Sequence, residues 1–335
     1  MSIVYTLIIL CVLVLVHEFG HFAVAKKTGV LVEEFAIGMG PQLLGWQKGE
    51  TEYSLRLLPI GGYVKMVGED GESDNPRAFC NKTVWERMAI TFAGPLMNML
   101  VAIIFFLVAF MYFGTPASNG LIGTVGENTA AEAAGIVPGD VIVSLNDTRI
   151  DNWDDLSAFM AGVQPGDELT VGYLRGGEEF SASAVASANE EGRAVLGVTQ
   201  GIAKADVIGS LKLGFAMTVE FTVLILQSLW QMVAGTVPVE VAGPVGMVSM
   251  VGEYANVGLM YLFMFAGMLS VNLGVMNLLP IPALDGGRLF FQIIEAVRGK
   301  AIDPDKEATI HLVGFVLLML LMLTVTFMDI EKLMQ

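Results

Sequence analysis

Residues 17–21 read His17-Glu18-Phe19-Gly20-His21 and close an apolar run over 3–16. On an α-helix, residues four apart share a face, so both imidazoles can reach one metal ion while Glu18 is turned aside from it. Neutral imidazole suits Zn2+, the ion lowers the pKa of a bound water to about 7, and a neighbouring carboxylate can take the proton. The chemistry expected is metal-assisted hydrolysis. A chance match on a soluble helix surface is the alternative, and the setting weighs against it. The chain has three histidines, two of them in this motif, and ionisable groups inside an apolar membrane helix cost roughly 2.5–3.5 kcal/mol each.

A zinc centre of this kind needs a third protein ligand, with water in the fourth position. His311 stands at the start of an apolar run, where a helix-end histidine is the commoner explanation. Asp285 is better placed, in Asn277-Leu278-Leu279-Pro280-Ile281-Pro282-Ala283-Leu284-Asp285-Gly286-Gly287, directly after a long apolar stretch. Pro280 and Pro282 end that helix, and Gly286 with Gly287 is expected to permit a tight turn that aims Asp285 back at the histidines. A third polar feature is Gly94-Pro95-Leu96-Met97-Asn98 inside another apolar run. Helix packing explains it, because small residues let membrane helices approach. The alternative puts Asn98 beside the metal site or the substrate path.

H-E-F-G-H in a first apolar helix, with N-L-L-P-I-P-A-L-D-G-G near the other end, resembles the bacterial site-2 protease family, the intramembrane zinc metalloproteases of peptidase family M50. The intervening segments follow in the same order over essentially the whole chain. The resemblance implies His17, His21 and Asp285 as Zn2+ ligands and Glu18 as the catalytic acid and base. It also implies substrate contacts at Asn277 and Pro280, with capping or packing of the broken helix as the other role for Asn277; Asn98, by its own cost in an apolar helix, is a further candidate for the substrate path. Gly61 and Gly62 would belong to a membrane-re-entrant β-hairpin whose open edge pairs with an unwound substrate.

The elements that must position these residues follow from composition. With 54% hydrophobic and 16% charged residues, the chain reads as a polytopic α-helical membrane protein. Four transmembrane helices are expected: one over 1–25, one over 89–113 and two within 258–335, at 258–279 and 312–328. Residues 28–88 form a cytoplasmic loop whose segments 50–59 and 60–66 read as a β-hairpin, either part of an ordinary small sheet or, as the resemblance implies, associated with the membrane. Residues 118–200 form an inserted α+β module. Residues 205–257 form a membrane-associated amphipathic linker, and its apolar stretch 210–233 is read as lying on the outer leaflet. A crossing there would carry Asp285 to the opposite face from His17. Lys26 and Lys27, the basic residues of 28–88, and Arg288, Arg298, Lys300 and Lys306 mark the cytoplasmic side. Both termini and the module are therefore expected outside the cytoplasm, with the metal in the inner half of a plasma or inner membrane. No basic stretch precedes the first apolar run, which is read as a retained helix and not a signal peptide.

Within the module, Ala133-Ala134-Gly135-Ile136-Val137-Pro138-Gly139-Asp140 resembles a PDZ domain of the permuted bacterial form, which implies that Leu196, Gly197 and Val198 border a groove for peptide C-termini. The net charge of −16 is concentrated there: 114–257 holds 17 acidic and five basic residues, which argues against a nucleic-acid partner. Cys11 and Cys80 suggest no disulfide framework. The function expected is hydrolysis of peptide bonds in or near the transmembrane segments of single-span proteins at the lipid bilayer, such as pre-trimmed anti-sigma factors or remnant signal peptides. An intramembrane metal transporter and an inactive PDZ-bearing scaffold are the alternatives.

Overall fold

The structure, a computed structural model, describes every residue except 70, 190, 191, 238–242 and 335. It divides into two units, Met1–Ala109 with Gly209–Gln335, and Phe110–Ile208. The chain starts with α1 (Ser2–Lys27), whose last turn carries Lys26 and Lys27 at the negative end of the helix dipole. Strands β1 (Val32–Lys48) and β2 (Thr51–Met66) follow, reversing at Gly49, where φ is 66°.

The hairpin expected between 50–59 and 60–66 is not formed; both segments belong to β2. Glu34, Phe35, Ala36 and Ile37 each have two partners, one within 62–65 and one within 52–55, so the first part of β1 lies between the two halves of β2. The rest of β1, over 42–48, pairs with 51–56. The ribbon folds over itself because Gly38, Gly40 and Gly61 take φ of 87°, 83° and 85° at its bends, values that a residue with a Cβ rarely adopts. Residues 62–66 are left as an edge. Val32, Phe35, Val64 and Met66 pack with Ala25 and Ile90, which fixes the ribbon against α1 and the next helix.

That helix, α2 (Val84–Phe113), begins five residues before the expected 89. Thr83 and Glu86 set the start: the Thr83 N–H donates to Glu86 Oε2 at 2.9 Å and the Glu86 N–H donates to Thr83 Oγ1 at 3.3 Å, a reciprocal cap.

The inserted unit is wider than the expected 118–200. It contains β3 (Thr115–Pro116), β4 (Ile122–Val125), α3 (Ala130–Ala133), β5 (Val141–Leu145), β6 (Thr148–Arg149), α4 (Trp153–Met160), β7 (Glu168–Arg175), β8 (Glu178–Val185), β9 (Ser187–Ala188), β10 (Ala194–Val195), β11 (Val198–Gln200) and β12 (Ile202–Ala203). Pairing of β12 with β3 closes its neck and accounts for the extra width. The main sheet has the order β6-β5-β7-β8, and Ile142, Leu145, Val171 and Leu156 lie in its core. Asn152 caps α4 in a reciprocal box with Asp155. Buried Asp140 takes two hydrogen bonds from Arg175, each 2.8 Å, and one from the Val137 N–H at 2.9 Å. The Arg175 guanidinium, with the Val137 N–H behind it, holds the Asp140 carboxyl below the usual carboxylate range.

The chain continues through α5 (Val207–Val233), α6 (Pro244–Val257), α7 (Leu259–Leu278), α8 (Asp285–Arg298) and α9 (Pro304–Met334). Among the described residues, α1, α2, α5, α7 and most of α9 are long and apolar enough to cross a membrane, so length and hydropathy do not set α5 apart. The last helix is longer at both ends than the expected 312–328. Ile9 and Leu13 of α1 pack with Val251 of α6 and with Leu262, Phe265 and Leu269 of α7. Helix α7 runs against α2: Gly267 meets Phe106, Ser270 Oγ donates to the Asn98 carbonyl at 2.7 Å, and Gly274 lies on the Pro95 carbonyl.

Candidate active site

Helix α1 turns His17 and His21 to one side, with their Nε2 atoms 3.2 Å apart and both residues buried. Each ring is held from behind by α2. His21 Nδ1 lies 2.8 Å from the Ile90 carbonyl, so Nδ1 carries the proton and Nε2 is left as a bare lone pair. His17 Nδ1 lies 3.3 Å from the side-chain amide of Asn98, whose Oδ1 is buried without a partner. A half-turn of the amide about its terminal bond, which preserves its shape, lets Oδ1 accept the His17 Nδ1 proton. Space for the rings comes from Gly94: a Cβ there would lie 2.3 Å from His21 Nε2 and 2.9 Å from His17 Cε1.

The third arm arrives from the break between α7 and α8. Pro280 and Pro282 cannot continue a helix, and α8 restarts at Asp285, an acid at a helix N-terminus, where the dipole favours it. The tight turn expected at Gly286–Gly287 is absent; both glycines lie in the first turn of α8. They serve close packing: a Cβ on Gly286 would lie 2.2 Å from the Leu279 carbonyl oxygen, and one on Gly287 2.4 Å from that of Ile281. This brings Asp285 Oδ2 to 3.0 Å from His17 Nε2 and 3.4 Å from His21 Nε2.

The ligand atoms of His17, His21 and Asp285 all lie within 4.8 Å of one another. Asp285 Oδ2 is buried without a hydrogen-bond partner. Two imine lone pairs and a carboxylate oxygen directed at one point repel each other unless a cation lies among them, and two imidazoles with one carboxylate are a donor set that suits Zn2+. These residues therefore fit the ion. Glu18, one position along α1, faces the ribbon edge: a Cβ on Gly62 would lie 3.4 Å from Glu18 Cγ.

The other expected site residues divide. Asn98 is 1% exposed and lies behind His17, beside the cluster. The sequence period gives its face but not its neighbour. Asn277 is half-buried at the end of α7, and exposed Pro280 lines a cavity of about 470 Å³ with Phe92, Leu278, Gly286 and Phe290. Gly61 lies at the ribbon bend and Gly62 on its edge. In the inserted unit, Leu196 lies between β10 and β11, is 3% exposed and turns its side chain into the core. The Gly197 carbonyl accepts from the Gly126 N–H at 2.8 Å, and Val198 pairs with Val125. His311 stays outside the cluster. Sequence reasoning missed the Ile90 carbonyl and the room left by Gly94; the only signal was a small residue four positions before Asn98.

A helix-borne H-E-x-x-H with a facing aspartate, set among apolar helices, defines a membrane metallopeptidase. The chain matches Peptidase family M50 over residues 5–321 and belongs to that family. It is 34% identical over 422 aligned positions to the zinc metalloprotease RasP of Oceanobacillus iheyensis, covering 99% of each chain. It is 32% identical over 417 positions to the regulator of sigma-W protease RasP of Bacillus subtilis, again covering 99% of each. Over part of its length it is similar to the PDZ domain of an SdrC-like protein of Listeria monocytogenes, at 15% identity, covering 26% of this chain and 90% of that one with a TM-score of 0.24. The protein is a multi-pass membrane zinc metalloprotease, which sets aside the transporter and the inactive scaffold.

Proposed function

We propose that the protein cuts peptide bonds within or beside the transmembrane segment of single-span membrane proteins, with His17, His21 and Asp285 as the zinc ligands and Glu18 as the acid and base. The observation that carries this reading is the convergence of the three ligand atoms beside Glu18, with the outer strand of the ribbon passing the same carboxylate at Gly62. Zinc bound there supplies a Lewis acid and makes water a stronger nucleophile at neutral pH. Glu18 takes the proton from the attacking water and returns it to the leaving amine. Asn98 and the Ile90 carbonyl fix the imidazole tautomers that leave both Nε2 atoms free for the ion.

A substrate helix has its backbone groups paired internally, so it must unwind before a bond can be attacked. Residues 62–66 offer it a replacement ladder. Leu43, Leu44, Trp46, Leu57 and Leu58 of the ribbon are exposed, which supports insertion of the ribbon into lipid. Asn277 and Pro280, beside the ligand loop, are the other substrate contacts in this reading.

Four crossings are supported by packing direction. Along α1, His17 meets Asn98 and His21 meets Ile90, so α1 and α2 are antiparallel, as are α2 and α7. The chain between α2 and α7 must therefore return to the side it left. A crossing α5 would need a crossing back, and α6, 14 residues and about 21 Å long, is shorter than a core of about 30 Å. Gly214 and Phe221, two turns apart, both meet α2 within 103–107, as expected of an oblique α5. With Lys26 and Lys27 inside, the termini and the inserted unit lie outside the cytoplasm. That unit holds none of the four catalytic or ligand residues, and its proposed role is selection of pre-trimmed substrates such as anti-sigma factors or remnant signal peptides.

The test is cleavage of a single-span reporter by the purified protein in detergent. Cleavage inside the span by the parent, and none by zinc-loaded Glu18→Gln, is expected. Cleavage confined to soluble regions of the reporter would overturn the assignment.

A further inference from the structure

Ala283, two residues before Asp285, has φ of 77°. Among the described residues, the other non-glycine residues at positive φ are Asn128 and Asn146, a type that tolerates the left-handed region, whereas a residue with a plain Cβ is disfavoured there. This conformation turns the Ala283 N–H out of the loop, where it donates to His311 Nδ1 of α9 at 2.9 Å. The donor is an N–H, so Nδ1 is the unprotonated nitrogen of that ring. The ring is held edge-on to Phe291 of α8, with centroids 5.7 Å apart. One turn further along the same face of α9, a Cβ on Gly314 would lie 2.5 Å from Pro282 Cβ and 2.7 Å from the Pro282 carbonyl oxygen. Helix α9 thus meets the loop over 280–284 twice, once by a hydrogen bond and once by an approach that only glycine allows.

We propose that His311 is a positioning residue for the third ligand: with Gly314 it clamps the loop in the strained form that holds Asp285 Oδ2 over the two histidines. This rests on the reading of Asp285 as a ligand. The loop carries the side chain with little slack, because α8 begins at Asp285 and its next two residues are packed on the Leu279 and Ile281 carbonyls. Releasing Ala283 lets the backbone leave the left-handed region, which rotates the peptides leading into Asp285. Groups that orient a metal ligand are felt in the affinity for the ion, so such a rotation acts on zinc even though His311 never touches it.

The experiment is chelator competition for zinc on the full chain in detergent, with the melting of the metal-free protein as a control. His311→Leu is expected to weaken zinc binding about 10–100-fold, the range for partners that orient a ligand, with little change in melting. His311→Asn, whose Oδ1 can take the place of Nδ1, is expected to bind like the parent. Ala283→Gly added to His311→Leu should recover much of the loss, since glycine adopts the same φ without the clamp; a residue that only filled space would not be rescued from there. Gly314→Ala, which presses on Pro282 and leaves His311 intact, should also weaken zinc, and it decides the matter if His311→Leu does not fold. Parent-like zinc affinity in both His311→Leu and Gly314→Ala, or no recovery by Ala283→Gly, would overturn the proposal. Asp285→Asn measured alongside separates the two ideas. If it retains parent-like affinity, the ligand reading itself fails. If it loses zinc while His311→Leu and Gly314→Ala do not, only the clamp fails.

Discussion

Substituting Gly94 by alanine sets two effects of opposite sign against each other. Alanine is better than glycine within a helix by about 0.8–1.0 kcal/mol, so α2 should gain stability or lose none. The same methyl group would lie 2.3 Å from His21 Nε2 and 2.5 Å from its Cε1, where ordinary contact begins at 3.4 Å. The ring must retreat by about 1 Å, roughly half of a zinc–nitrogen distance of about 2.0–2.1 Å. It cannot slide straight back, because Nδ1 is held on the Ile90 carbonyl at 2.8 Å. The expected loss is at least the 10–100-fold seen when an orienting partner is removed, or about 1.4–2.7 kcal/mol at 1.36 kcal/mol per tenfold. Chelator competition reads the zinc affinity, and thermal unfolding of the metal-free protein reads the helix. Unchanged zinc affinity in a folded Gly94→Ala protein would refute the ring geometry and, with it, the account of the Gly94-to-Asn98 stretch.

Three further outcomes follow from the same geometry. Glu18→Gln should abolish peptide cleavage while one zinc per chain is retained, because the carboxylate acts on water and not on the ion; loss of zinc in that variant would make Glu18 a ligand. Asn98→Ala should reduce zinc affinity about 10–100-fold without creating a substrate-size preference, read by competition and by cleavage of two reporters of different length. In the inserted unit, the folded Asp140 carboxyl titrates below its unfolded value of about 3.9. Its pair with Arg175 therefore contributes fully above about pH 4, and that contribution is lost as the pH falls through the folded value. Asp140→Asn should speed hydrogen exchange in β5 and β7 of the full chain at pH 7, by on the order of 1–3 kcal/mol in opening free energy. The difference from the parent should shrink as the pH falls below 4.

The chemistry was legible in the sequence because it depends on spacing within single elements. His17 and His21 share a face by helix geometry alone, and the Pro280–Pro282 break announces that the helix carrying Asp285 is not the one before it. What joins distant segments was not legible. The fold of the ribbon depends on Glu34 to Ile37 pairing on both sides, a long-range register that alternation within 50–66 does not encode. Gly286 and Gly287 read locally as a turn because glycine signals conformational freedom and close approach alike; only the Leu279 and Ile281 carbonyls decide between them. Asn98 was recognised as costly in an apolar helix, but its partner is 81 residues away. The early start of α2 was available locally in Thr83 and Glu86, and the apolar run beginning later obscured it.

If His17, His21 and Asp285 together hold one zinc ion, the ion's own coordination sphere must report it. X-ray absorption at the zinc edge, on the full chain in detergent with metal content measured on the same sample, tests it most directly. One zinc per chain with two imidazole nitrogens and light oxygen donors in the first coordination sphere is expected, with loss of one imidazole contribution in His17→Ala or His21→Ala and of an oxygen in Asp285→Ala. A sulfur ligand from Cys11 or Cys80, or a spectrum and zinc content unchanged by Asp285→Ala, would contradict it.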